Sequence, residues 1–394
     1  MQISEPNQAR GLALFHLGFR PFFLFGAVAS LALMAIWLMW LGQGHTLHQY
    51  YVVAQYWHGH EMLFGYGIAI IAGFLLTAVR NWTSIQTPYG YTLAGIFAVW
   101  LAGRVLPVIS ESVSIPGELI ALVDIVFLPL VALSIGLPIV RSGNHRNLVF
   151  IVILLAMTVA NTLIHLQLLG ITEDTLPLGM QLGLNLIVMV MAIMGGRVIP
   201  FFSERALAYT VKKYDWLEKA VIPAAAAWMI CHLLGFTTVA IALAIFNGII
   251  HTLRLLGWFS TRLKRNPLIW ILHIAYLFIP LGFLMEAASN IGLMSPYLAI
   301  HAFAAGAIGS MTLGMMARVS LGHTARPLKI ARITIAAFVV MVLAGLIRVL
   351  LPAYPPLYSM AIHISGGLWC LAWAMFLIPY TPILLKPRLD GQYG

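Results

Sequence analysis

The sequence predicts an all-α polytopic membrane protein of about twelve transmembrane helices, read as one transmembrane domain over residues 1–394. Three observations carry that expectation. Hydrophobic residues make up 61% of the chain and charged residues only 9%, whereas soluble domains are roughly 45–50% apolar and about 25% charged. Apolar stretches of the ~20 residues needed to cross a bilayer recur along the whole chain. The basic residues, finally, fall almost entirely on one side of the spans that these stretches define.

The first apolar run, 21–42, follows a polar segment carrying Arg10 and Arg20. It ends without a small-residue cleavage site, so it reads as a retained helix and not a removable signal peptide. The runs that follow are 56–79, 89–108, 117–140, 147–170 and 177–201. Next come 217–235 and 236–258, divided only by "LGFTT" (234–238) but together too long for one helix. The last four are 267–286, 295–317, 331–351 and 357–385.

With the amino terminus placed inside, all but two of the 22 lysines and arginines lie on the inner side, and both termini are cytoplasmic. The net charge of +10 is therefore the orientation signal of a membrane protein, with the lipid bilayer as partner, and no nucleic acid is expected. Arg104 and Arg348 are the two outer exceptions. Cys231 and Cys370 fall inside spans with no CxxC spacing, which reads as apolar filler. Rings at span ends, Trp37, Trp40, Trp82 and Trp369, fit an interfacial belt.

A sparse repeat relates the second and tenth spans. His60, Gly65 and Gly73 match His301, Gly306 and Gly314 at identical spacings, and the following helices end alike in "LAGRVLP" (101–107) and "LAGLIRVLLP" (343–352). Both spans run inward, so the repeat is parallel. A fainter third copy lies in the sixth span, where Arg197 closes the helix much as Arg80 and Arg318 close the other two; Met180 stands at the position of His301. Spans 2, 6 and 10 together suggest a pseudo-threefold arrangement.

Thirteen histidines are many for so apolar a chain. His58, His60, His165, His232, His301 and His363 fall in the outer halves of their helices, and ionisable groups inside a membrane face the interior or a cavity. Each alone could simply bond a neighbouring helix. Imidazole is also a common ligand for iron, copper and zinc, so the six are candidate metal ligands. His60 and His301, at the same repeat position, could hold a haem between two helices. Arg104 and Arg348 could then pair with its propionates, or pair instead with Glu111, Glu118 or Glu61.

On a regular helix His58 and His60 lie about 200° apart. Either they serve different partners or the helix start is unwound. Glu61 shares the face of His58 and could orient an imidazole. Asp124 is a further intramembrane acid, suited to proton handling or to a plain interhelical bond, and Asn161, Asn185 and Asn247 read as interhelical bonding groups. No phosphate loop, HExxH or Ser/His/Asp constellation is present.

The stretches "GFRPFFLFGA" (18–27), "WHGHEMLFGYGIAIIAGFLLTAVRNWT" (57–83), "GGRVIPFF" (195–202) and "GAIGSMTLGMMARVSLGHTARPL" (306–328) closely resemble the NnrS family. The resemblance implies a bacterial inner-membrane protein that contains haem b and copper, linked to the nitric oxide response, nitrosative stress and denitrification. Its small-molecule partner would be nitric oxide or another diatomic, with an unknown electron donor. The helix arrangement is similar to that of haem-copper oxidases, which by analogy gives the low-spin haem to His60, or His58, and His301. Unlike those enzymes, this sixth span has no histidine, which puts turnover at a binuclear centre in doubt. The competing expectation is a proton-coupled secondary transporter, since twelve spans with parallel repeats also describe that class.

Overall fold

The computed structural model describes residues 12–43, 50, 51 and 53–394; Arg10 lies outside them. The described chain forms twelve long helices: α1 (Phe19–Gln43), α2 (Ala54–Thr83), α3 (Gly90–Ile109), α4 (Gly117–Arg141), α5 (Leu148–Leu168), α6 (Thr175–Leu207), α7 (Asp215–Leu233), α8 (Thr237–Trp258), α9 (Pro267–Asn290), α10 (Pro296–His323), α11 (Arg332–Leu350) and α12 (Tyr358–Leu385). Eleven are long and apolar enough to cross a membrane. The exception is α7, whose first turn carries Asp215 and Glu218. The separation of spans seven and eight falls where "LGFTT" places it.

Local chemistry explains the element ends. Asn266 caps α9 by accepting a hydrogen bond from the Leu268 amide at 3.1 Å, and Pro267 occupies the first helical position, where its missing N–H costs nothing. At the end of α2, Ser84 turns into the left-handed region at φ 55° and its amide bonds the Arg80 carbonyl.

Two compact units emerge. Unit 1 comprises Met1–Leu186, Val319–Leu328 and Leu377–Gly394, and unit 2 comprises Ile187–Arg318 and Lys329–Phe376. In unit 1, α1 packs on α2, α2 and α3 each pack on α4, and α4 packs on α5. In unit 2, α7 packs on α8, α8 on α9, α9 on α10, and α10 on α11. Small residues permit the close approaches. At Gly73 of α2 an added Cβ would sit 2.8 Å from the Phe22 Cβ and 3.2 Å from the Gly18 carbonyl oxygen, as membrane packing by van der Waals contact requires.

The repeat has a structural counterpart that its sparse spacing did not announce. A seven-residue π-helical segment, Glu61–Gly67, interrupts α2 directly after His60, and another, Ala302–Ile308, interrupts α10 directly after His301. Such wide turns cluster at functional positions. The sixth span, proposed as a third copy, lacks the device, since α6 is α-helical from Thr175 to Leu207.

Two expectations change here. Trp37 and Trp369 do not form an interfacial belt; they are 9% and 3% exposed, with Trp37 stacked on His58 and Trp369 packed on Gly309. Asn161 and Asn247 make interhelical bonds, the latter to the Ala224 carbonyl at 3.0 Å, but the buried Nδ2 of Asn185 has no acceptor. Neither Cys231 nor Cys370 forms a disulfide among the described residues.

Replacing Gly73 with valine forces α1 and α2 apart and is expected to destabilise the protein by about 1–3 kcal/mol, the usual cost of overpacking. Gly95→Ala, at a position with nothing within 4 Å, serves as the control. Thermal unfolding in detergent should separate the two; equal midpoints would show that the α1–α2 contact is not tight.

Candidate metal centre

The polar centre of unit 1 is built from α2, α3, α4, α5 and the segment entering α2. His60, the last α-helical residue before the π segment, is fully buried. Its Nε2 lies 2.9 Å from Asn161 Oδ1 and 3.2 Å from Asp124 Oδ2. On the other side of the ring, Nδ1 lies 2.8 Å from the Tyr51 hydroxyl and 3.2 Å from Glu61 Oε1. Phe64, one turn on, stacks against the ring at 5.3 Å.

His165, near the end of α5, mirrors this arrangement. Its Nε2 lies 3.0 Å from Asp124 Oδ2 and its Nδ1 is 2.6 Å from the Tyr50 hydroxyl. Asp124 is the common partner. Asn161 donates its Nδ2 to the same Oδ2 at 2.9 Å, and Arg104 donates to Oδ1. Arg104 also pairs with Glu61 Oε2 at 3.3 Å.

The π segment makes this convergence possible. Trp100 of α3 donates its indole N–H to the Gly65 carbonyl at 2.9 Å, and Arg104, one turn further along α3, passes across Gly65 itself. An added Cβ there would meet Arg104 Nη1 at 2.7 Å and Glu61 Oε2 at 2.9 Å. Glu61, the first residue of the π segment, meets His60 and Arg104 and not His58, three residues before it. His58 stacks separately on Trp37, with centroids 4.5 Å apart, so the two histidines do have different partners. Arg104 takes Glu61 from among the carboxylates anticipated for it and adds Asp124, which the sequence alone leaves as a separate acid.

The other sequence-derived candidates lie in unit 2. His232 Nδ1 is 3.5 Å from Glu286 Oε1. His301 and His363 each bond a carbonyl one turn back on their own helices, Tyr297 at 2.6 Å and Ser359 at 2.8 Å. Arg348 buries an Nη1 that has no acceptor. Tyr50, Tyr51 and Glu286 were missed by sequence reasoning, because nothing in their local spacing distinguishes them from interfacial or loop residues.

His60, Asp124 and His165 each offer one donor atom, all within 4.8 Å of one another, and all three residues are buried. This is a two-imidazole, one-carboxylate donor set of the kind that holds first-row transition ions. Each imidazole meets a tyrosine through its far nitrogen, and His60 also a carboxylate, the outer support that orients metal-binding histidines.

The fold and this cluster define a multi-pass α-helical membrane protein with a buried site able to hold a metal. The NnrS protein family matches residues 13–388, nearly the whole sequence, and the chain belongs to it. Membership supports a role in the nitric oxide response in general terms. No curated protein matches the chain.

Removing Arg104 leaves Asp124 and Glu61 buried without their cation. Arg104→Ala is expected to cost about 3–5 kcal/mol, the usual penalty for breaking a buried pair from one side, measured as lost thermal or denaturant stability. A loss below about 1 kcal/mol, the value of an exposed pair, would mean that water reaches the cluster.

Proposed function

We propose that this protein is a metalloprotein of the bacterial inner membrane, with both termini cytoplasmic, that serves the nitric oxide response by binding nitric oxide at a transition ion held by His60, Asp124 and His165. The observation that carries this reading is the convergence of three buried donor atoms within 4.8 Å. Copper is the ion we assign, since affinity for nitrogen and oxygen sites rises to a maximum at Cu²⁺ among the divalent first-row ions; the same two-imidazole, one-carboxylate set also suits Fe²⁺.

The residues divide the work. His60 and His165 supply imidazole nitrogens whose direction is fixed from behind by Tyr51, Glu61 and Tyr50. Asp124 supplies an oxygen and charge balance, and Arg104 holds that carboxylate in place. Asn161, already against both His60 and Asp124, presents an amide to whatever occupies the remaining coordination space. Burial keeps water out. An ion bound there supplies a Lewis-acidic or redox-active position for a small diatomic.

Haem b belongs to the same reading on different residues. In unit 2, His301 donates Nδ1–H to the Tyr297 carbonyl, which sets its ring orientation, and the unpartnered Nη1 of Arg348 suits a propionate. His301 and Arg348 would hold the haem. His60 and Arg104, their repeat counterparts, would serve the ion instead, because both nitrogens of His60 and the Arg104 guanidinium are already engaged in the cluster.

Metal analysis with electron paramagnetic resonance on copper-loaded protein tests the ion site. The wild type should hold about one ion per chain in the cluster, with a signal altered by nitric oxide. His165→Ala should lose that ion and its signal, and Tyr50→Phe should weaken affinity by about 10–100-fold, the range for outer-support residues. Full occupancy in His165→Ala would sink the assignment. A pyridine haemochrome assay on His301→Ala tests the haem independently.

A further inference from the structure

The arginines that close the repeat helices are not used by the metal centre, and one of them is unlike the other buried arginines. Arg20 donates to the Leu384 and Lys386 carbonyls at 2.8 Å, Arg80 to Gln86 at 2.9 Å, Arg104 to Asp124, and Arg254 to the Ala192 carbonyl at 2.7 Å and to Glu218. Arg318, on α10, is 7% exposed and its buried Nη1 has no acceptor. What it meets is an aromatic face, with its Cζ 3.8 Å from the centroid of the Phe202 ring on α6. Both residues belong to unit 2.

An aromatic face satisfies the charge of a guanidinium in part but accepts none of its in-plane N–H bonds. Stacking fixes the plane and leaves the N–H edge as a rigid fork, the geometry that matches the oxygens of phosphate and carboxylate. A buried guanidinium left in that state is costly, and a bound oxyanion offsets the cost.

Position narrows the ligand. Arg318 lies five residues before the end of α10, roughly 7.5 Å along the axis at 1.5 Å per residue, at the end of the helices where the basic residues gather. That is headgroup depth. On α6, three residues after Phe202, Arg205 lies over the Phe201 ring at 5.5 Å, a second basic residue on the helix that carries the stacking ring. Basic pockets between helices on this side of a membrane bind anionic lipid headgroups.

We propose that Arg318, stacked on Phe202, is an oxyanion-binding residue whose ligand is the phosphate of an anionic phospholipid in the basic-side leaflet. Free inorganic phosphate shares the chemistry, and the experiment separates the two sources.

Full-length protein is purified as wild type, Arg318→Gln, Arg318→Lys and Phe202→Leu. Native mass spectrometry measures bound phosphatidylglycerol, and thermal shifts are recorded with phosphatidylglycerol, phosphatidylethanolamine or inorganic phosphate. Wild type should bind phosphatidylglycerol at least tenfold more tightly than Arg318→Gln, with Arg318→Lys between them because lysine keeps the charge and loses the fork. Phe202→Leu should also weaken binding while keeping the arginine, which covers the case in which Arg318→Gln fails to fold. A shift with inorganic phosphate but not with phosphatidylglycerol overturns the lipid assignment in favour of a soluble anion. Equal phosphatidylglycerol binding in wild type, Arg318→Lys and Phe202→Leu, or none in wild type, overturns the proposal. Copper content measured on the same samples reports the His60 site separately, so failure here is distinguishable from failure there.

Discussion

The Asp124 carboxylate is the constraint on which unit 1 turns. A carboxylate in the apolar layer is tolerated only when partners replace its lost hydration, and this one draws its partners from three other helices: Arg104 from α3, His60 from α2, and Asn161 and His165 from α5. Meeting that demand fixes the rotation of α2, α3 and α5 about α4. Tyr50 and Tyr51 extend the same network into the segment entering α2. The apolar contacts between these helices are non-directional and would tolerate several rotations; the polar cluster selects one.

The parallel repeat places one backbone device in two different polar settings. Both copies place a π segment directly after a histidine. In α2 the first residue of the wide turn, Glu61, sits in a buried charge network. In α10 the residues after His301 are Ala302, Phe303 and Ala304, with no acid among them, and the histidine turns to its own helix's carbonyl. The backbone similarity outlasts the similarity of surroundings, so His60 and His301 look equivalent in sequence and occupy different environments.

Fold class and family were legible in the sequence because they rest on long apolar runs and on extended motifs. The site was legible only in part. His60, His165, Arg104 and Asp124 stand out as ionisable groups among apolar neighbours, yet their mutual contacts depend on helix rotation, which hydropathy does not encode. Glu61 was assigned to His58 from their shared helix face, but its carboxylate reaches His60, its neighbour in sequence, and Arg104, a choice made by the packed partners that helix period does not encode. The tyrosines stayed hidden for a different reason: an aromatic residue near a span end has an ordinary interfacial explanation, and nothing local reveals that its hydroxyl meets an imidazole.

Every group of the cluster lies between Tyr50 and His165. The full set of donor atoms and supports is therefore encoded in the first five helices, ahead of the seven that follow. During synthesis, the chemical components of the centre are all present in the membrane once α5 has entered it. The buried charges of the cluster can therefore find one another in a half-made chain, before the helices of the second half have been made.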